Sequence, residues 1–305
     1  MASRLRVAIV INPVAGVGGT LTRARRRAEL ALELLVAEQV EPDILITEHA
    51  GHAAELARGA VERGARIVVA WGGDGTVNEV ATSLVGTAAV LGIVPAGSGN
   101  GLARMLGMPA NASRALRRIL HGADRVIDVG DIDGRLFVNV AGVGFDAHIA
   151  AAFAAMGRRR RGFLRYGLIV ARELRHFDSR AFTLTLDADD DRGEQTSTHR
   201  AFLLTFANGR QWGNGALIAP QAELDDGALD AVVVEDRGRG AVLRAIPRLF
   251  TGTLAGVPGV MTSRIRTATV TGDGRPVAYH ADGEPHIGGP ALVVSVRPGA
   301  LRLRS

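Results

Sequence analysis

Short apolar runs and helix-spaced apolar positions take turns along the first 125 residues. Leu5–Ile11 is an apolar run closed by Asn12 and Pro13, the pattern of a buried strand stopped at a breaker. Thr20–Glu38 carries Leu21, Ala24, Ala28, Leu32 and Leu35 at helical spacing. The alternation continues with a strand at Asp43–Thr47, a helix at Gly51–Arg63 and a strand at Arg66–Trp71 that ends at Gly72-Gly73-Asp74-Gly75. A helix at Thr76–Leu84, a strand at Val90–Val94 and helices at Asn100–Leu106 and Ser113–His121 complete it. Strands and helices in this order predict a parallel sheet covered by helices, an α/β domain.

Beyond residue 125 the period shortens. Arg135–Val140, Phe182–Asp187, His199–Phe206, Leu229–Val234, Ser263–Thr271 and Ala291–Val296 read as strands separated by Gly, Asp and Pro. They predict an antiparallel β domain with helical inserts at Tyr166–His176 and Gly240–Thr251. We expect an α/β domain over 1–125 and a β domain over 126–294, with the last strand, about 295–305, packing back on the first. Asp187–Gly193 reads as a solvated hairpin tip, because it lacks the spacing and final Glu of a calcium loop.

Composition removes several kinds of chemistry. The chain of 305 residues has no cysteine, which excludes disulfides, thiolate metal sites and thiol nucleophiles. All 36 strong bases are arginine. A phosphate-binding loop of the Walker type and a protein kinase both require a lysine, so neither machine is present. The net charge of +5 suits an anionic membrane or a nucleic acid, but 4% aromatic residues leave little for base stacking. The start, MASRLRVAIVINP, reads as a strand rather than a secretory leader, and no apolar run is long enough to cross a bilayer. A cytoplasmic, peripherally membrane-associated protein is expected. Arg158–Arg161, followed by Phe163 and Tyr166, suits anionic headgroups, and Arg23–Arg27 suits the outer face of the first helix.

Three Gly-containing loops follow strands: Asn12–Gly16, Gly72–Thr76 and Ala96–Asn100. Ligands of parallel sheets sit at the carboxyl ends of strands, and helix starts offer N–H groups to phosphate. Three such loops at one sheet edge predict a nucleotide phosphate site, with Asp74 organising Mg²⁺ or water. Near the other end, Asp282 and Glu284 stand two apart, so an extended chain would aim both at one face, as a proton acceptor and its support.

INPVAG (Ile11–Gly16), GGDGTVNEV (Gly72–Val80) and PAGSGNGLAR (Pro95–Arg104) resemble the diacylglycerol kinase catalytic-domain family, which includes bacterial soluble lipid kinases and the sphingosine and ceramide kinases. Asn208-Gly209, Ala219-Pro220, Leu224–Gly227 and His280–Pro285 extend the resemblance through the second half. The resemblance implies a nucleotide-binding α/β domain followed by a β-sandwich, with ATP as donor and Mg²⁺ as helper. It implies that Asn12, Pro13, Thr47, Gly72, Gly73, Asp74, Gly75, Thr76, Asn78, Ser98 and Asn100 line the nucleotide. Glu284 matches the general base, with Asp74 and Asp282 in the catalytic set, and Glu223, Asp226 and Ala228 match a metal loop. The diacylglycerol kinases usually carry Asp where this chain has Gly101, which questions diacylglycerol as the acceptor. Diacylglycerol, phosphatidylglycerol and sphingoid lipids all fit. Expected partners are a membrane lipid substrate, an anionic membrane surface and a second copy in a homodimer, with no nucleic acid. Competing readings are an NAD kinase, which resembles the chain in GGDGT, and a non-catalytic lipid- or nucleotide-binding module.

Overall fold

The computed structural model describes residues 4–16, 20–155, 163–188, 194–213 and 215–305. The basic run Arg158–Arg161 and, of the expected hairpin tip Asp187–Gly193, residues 189–193 lie outside the described residues. The chain forms two compact units, Met1–Ile127 with Gly299–Ser305, and Asp128–Pro298.

The first unit holds strands β1 (Arg6–Ile11), β2 (Glu41–Ile46), β3 (Ile67–Gly72) and β4 (Val90–Pro95). Its helices are α1 (Leu21–Ala37), α2 (His52–Glu62), α3 (Asp74–Leu84), α4 (Gly101–Met105) and α5 (Ala112–His121). The strands are parallel in the order β2-β1-β3-β4, with Ile11 opposite both Ile46 and Trp71, and Gly72 opposite Pro95. Residues 302 and 303 at the chain end pair in parallel with β4. Strand β3 throughout and β1 after Arg6 are apolar and buried because helices cover both faces. β2 begins at Glu41, earlier than predicted. Its Pro42 is tolerated because β2 pairs only with β1 and so forms the sheet edge.

Caps fix the helix starts. Thr20 accepts the Arg23 N–H through its hydroxyl, and Asn111 accepts that of Arg114. The start of α2 is capped from a neighbouring helix instead, where Glu79 of α3 accepts the Ala53 N–H at 3.1 Å. Among the described residues no helix is long and apolar enough to cross a membrane.

The second unit begins inside β5 (Asp124–Ile132) and continues with β6 (Arg135–Phe137), β7 (Val140–Gly144), α6 (Phe145–Ala155) and α7 (Phe163–His176). Strands β8 (Arg180–Ala188), β9 (Glu194–Ala207), β10 (Gln211–Gly213), β11 (Ala216–Leu217) and β12 (Leu229–Glu235) follow. Helix α8 (Arg239–Thr251), β13 (Val260–Thr271), β14 (Ala278–Ala281), β15 (Glu284–Ile287) and β16 (Ala291–Arg304) complete the chain. The strands of this unit are antiparallel. The long strands change partners midway: β9 passes from β8 to β12 and β7, and β13 from β12 to β8 and β16. That exchange folds the strands into a sandwich around one core that includes Phe137, Phe206, Leu204, Val270 and Leu292.

The opposite face of β9 and β12, through Leu203, Ala207 and Val232, packs on α6, α7 and α8 in a second core with Phe145, Ile149, Leu174 and Ala245. Because both faces of these strands are covered, their sequences lack the alternation of a half-exposed strand.

Candidate active site

In the first unit the strand order reverses at β1, so the loops after β1 and β3 diverge at the carboxyl edge of the sheet, where α/β folds bind ligands. Asn12 ends β1. Its amide donates to Thr76 Oγ1 at 2.8 Å, and its Oδ1 accepts the Val14 N–H at 3.1 Å. Thr76 is buried in the first turns of α3, so this pair ties the first loop to the second. Pro13 is buried beside it, and Thr47 is buried at the end of β2, its N–H donating to the Ile11 carbonyl.

Arg27 braces the same loop. Its guanidinium donates to the carbonyls of Asn12 and Ala15, at 3.1 and 3.2 Å, and lies 5.9 Å over the Trp71 ring. Burial, then Arg23, lower its pKa. This corrects the expectation that Arg23–Arg27 all face outward. Arg23, Arg25 and Arg26 are exposed, but Arg27 falls three residues after buried Ala24 and four before buried Ala31, on the inner face of α1. That spacing was the signal for it.

The third loop is held by Asp74. Asp74 Oδ2 accepts the Asn100 N–H at 2.8 Å, and Oδ1 accepts the Gly101 N–H at 2.7 Å. Helix α3 starts two residues earlier than predicted, so Asp74 lies in its first turn and the N-cap is Gly73. Burial raises the pKa of Asp74 against the opposing N–H groups of Gly101 and Asn100. Asn100 sits at φ 51° and closes the loop on itself: its side chain accepts the Gly97 N–H and donates to the Gly97 carbonyl. The two loops meet backbone to backbone. A Cβ on Gly97 would lie 2.6 Å from the Gly73 Cα, so only glycine fits there. Ser98 is exposed at the tip, and Gly75 and Asn78 are partly buried along α3.

In the second unit, Asp282 and Gly283 have φ of 48° and 84° and are the two central residues of a tight hairpin in which Ala281 faces Glu284. This is the Asp-Gly turn whose twist suits a two-residue hairpin. The chain is therefore not extended there, and the expectation that Asp282 and Glu284 share a face fails. Asp282 turns inward, and its carboxylate accepts the N–H groups of Val138, Asn139 and Val140 at 2.8, 2.9 and 2.9 Å. Glu284 is exposed at the start of β15.

Behind this turn lies a polar trio that the sequence reading missed. Buried His280 accepts the Gly283 N–H at Nδ1, 3.2 Å away, which leaves Nε2–H to donate to Asp146 Oδ2 at 3.3 Å. Thr205, fully buried, donates to the same oxygen at 2.9 Å. Asp146 is in the first turn of α6, directly after β7. The Gly144-Phe145-Asp146 junction was the available signal.

The predicted metal loop gathers more acid than the motif named. Asp226 Oδ1 accepts the Ala228 N–H at 3.1 Å, and Oδ2 pairs with Arg264 at 2.9 Å. Asp128, buried on β5, accepts the Gly227 N–H at 2.7 Å. Burial chiefly raises the pKa of Asp226, with Asp128 and Glu223 adding to it. Burial and Asp226 push Asp230 up to about 6. In both cases Arg264 opposes the rise. Asp128, Glu223 and Asp230 are thus gathered about Asp226, a grouping of carboxylates that a divalent cation fits. Elsewhere, ligand atoms of His49, His52 and Glu55 lie within 4.8 Å of one another. There His52 Nδ1 already accepts the Glu48 N–H and the two rings stack, so His52 serves the loop that leads into α2.

Residues 6–132 match the diacylglycerol kinase catalytic domain, and residues 139–305 match the YegS C-terminal NAD kinase beta sandwich-like domain. A diacylglycerol kinase of Mycobacterium tuberculosis (strain CDC 1551 / Oshkosh) is 32% identical over 304 residues, which cover 98% of this chain and 94% of that protein. A Klebsiella pneumoniae (strain 342) protein named "Probable lipid kinase YegS-like" is 31% identical over 281 residues, 90% of this chain and 89% of that one. The crystal structure of a diacylglycerol kinase from Bacillus anthracis str. Sterne shares the fold, with a TM-score of 0.74 at 20% identity over 100% of this chain and 98% of that chain. With both halves matched in order and a relative aligned along nearly its whole length, this chain belongs to the family of diacylglycerol kinases and YegS-like lipid kinases.

Proposed function

We propose that the enzyme transfers the γ-phosphoryl group of ATP to the hydroxyl of a membrane lipid, at the cytoplasmic face of a membrane. The observation that carries this reading is the locked set of loops at the carboxyl edge of the first unit's sheet. Asn12 is bonded to Thr76, and Asp74 to Asn100 and Gly101, so the backbone is set before any ligand arrives. Preorganised N–H groups and a helix start are what a triphosphate needs. The second and third loops pack so closely that a Cβ at Gly97 would run into the Gly73 backbone, which holds the two as one surface.

In this reading Asn12, Pro13, Thr47, Gly72–Thr76, Asn78, Ser98 and Asn100 bind ATP, and Asp74 holds the loop geometry. Mg²⁺, when bound with the nucleotide, would neutralise phosphate charge. Glu284, exposed and free to meet substrate, accepts the proton of the lipid hydroxyl as its oxygen attacks the γ-phosphorus. The bond from the γ-phosphorus to the bridging oxygen breaks, and ADP leaves. Asp282 positions Glu284 by anchoring the turn to residues 138–140. Asp226, with the carbonyls of Glu223 and Ala228, would hold a divalent cation, supported by the charge of Asp128 and Asp230.

The test is transfer of labelled γ-phosphate from ATP with Mg²⁺ onto diacylglycerol, phosphatidylglycerol, sphingoid bases and ceramide in mixed micelles, with NAD as control acceptor. A labelled lipid is the expected product and names the acceptor. Label on NAD alone would overturn the reading in favour of an NAD kinase, and nucleotide binding with no transfer to any acceptor would favour a binding module.

A further inference from the structure

Helix α8 has two apolar faces and needs only one. Val242, Ala245 and Leu249 turn inward to the second core of its unit. Leu243, Pro247 and Phe250, at i, i+4 and i+7, form a separate exposed stripe, with Leu243 56% and Phe250 53% accessible. The helix, RGAVLRAIPRLFT, carries Arg239, Arg244 and Arg248 and no acid. Arg244 reaches only the Gly240 carbonyl and Arg248 the Thr253 hydroxyl, and among the described residues neither enters an ion pair.

We infer that α8 is the element by which this unit docks on an anionic lipid surface, its Leu243–Pro247–Phe250 stripe entering the headgroup layer and its arginines meeting lipid phosphates. The choice of a lipid surface as occupant rests on the lipid kinase reading and on charge. An exposed apolar stripe flanked by unpaired bases is the make-up of a helix lying in a membrane interface. A second copy is a poorer occupant, because a twofold contact through this stripe would bring two sets of arginines together. Pro247 also deprives the Leu243 carbonyl of its helical N–H donor, which is tolerable where headgroup water supplies one and costly in hydrocarbon. The depth is therefore interfacial.

Binding of the full chain is measured by co-sedimentation with phosphatidylcholine vesicles, with and without phosphatidylglycerol, at low and high salt. The wild type is expected to bind the phosphatidylglycerol vesicles and to be weakened by salt. The double variant Leu243→Ser/Phe250→Ser is expected to bind about tenfold more weakly, and Arg244→Gln/Arg248→Gln to lose the preference for phosphatidylglycerol. All variants should keep wild-type activity toward a short-chain lipid dissolved as monomer, since none of these residues belongs to the catalytic set. A wild type that ignores the vesicles, or a serine variant that binds as well as wild type, overturns the inference. So does sedimentation velocity showing a lipid-independent dimer that the serine variant breaks, which would assign the stripe to a second copy. A wild type that binds vesicles but phosphorylates no lipid would leave the docking surface standing and fault the kinase reading alone.

Discussion

Asp74 Oδ1 accepts the N–H of Gly101 at 2.7 Å while its other oxygen accepts that of Asn100, so one carboxylate at the start of α3 holds the loop that follows β4. On the proposed reading, the bonding explains why an acid is useful in a loop that would hold phosphate, where its charge alone would repel the ligand. It also places Gly101 against the acid, at the position where diacylglycerol kinases usually carry a second carboxylate.

Replacing Asp74 by Asn leaves one acceptor for two N–H groups. The loss of a charge-assisted bond should cost about 2 kcal/mol in the first unit, and kinase activity should fall steeply. Hydrogen exchange at Asn100 and Gly101 is the decisive readout. Unchanged protection with lost activity would mean that Asp74 acts on the metal and nucleotide directly rather than by holding the loop.

Glu284 and Asp282 predict opposite outcomes although they are neighbours in the same hairpin. Glu284→Gln should lower kcat by about 10²-fold or more, with ATP affinity and melting temperature unchanged, because the side chain is exposed. Asp282→Ala should strip acceptors from three backbone N–H groups and destabilise the second unit by about 3 kcal/mol or more. If Glu284→Gln turned over like wild type, the proton acceptor would have to be another group.

How far these sites were legible depended on how local their physics is. The first unit could be read because each buried strand is an apolar run ending in a Gly or Asn-Pro breaker. Even there Arg27 was misjudged, since a run of arginines hides which one faces inward. In the second unit Arg135–Val140 was read as one strand, but it breaks at Val138 and Asn139, whose N–H groups go to Asp282, a residue more than 140 positions away. Helix α6 was missed because FDAHIAAAFAA is apolar around most of its circumference and shows no stripe. Asp128 joins the acid cluster only by meeting a segment 99 positions away, at the Gly227 N–H, and no local pattern marks it, whereas Asp230 stands four residues after Asp226 in the motif's own segment and was overlooked there.

Arg27 ties α1 to the loop after β1, which the proposed function assigns to ATP, by a forked contact with two carbonyls, and a lysine can reproduce its charge but not its fork. Arg27→Lys should therefore raise the KM for ATP about tenfold while leaving the KM for lipid and the vesicle affinity unchanged. Steady-state kinetics with each substrate varied in turn checks this. An equal rise in both constants would mean a general loss of the fold rather than a loosened loop.

The acid cluster of the second unit predicts a link between pH, metal and stability. Asp230 has its pKa raised from 3.8 to about 6, so the folded state favours the protonated form. Between those values the folded protein holds more protons than the unfolded chain, and the contribution of Asp230 to stability falls as pH rises, reaching its floor above about pH 6. Asp230→Asn, neutral throughout, should then melt higher than wild type above pH 6 when divalent cations are chelated, with the gap closing as the pH falls toward 4. Mg²⁺ should reverse the order by giving the wild-type carboxylates a counterion that the variant holds less well. Melting curves of both proteins across this pH range, with chelator and with Mg²⁺, separate the two effects. Parallel curves under chelation would remove Asp230 from the titration, and an equal Mg²⁺ response in both proteins would remove it from the cation site.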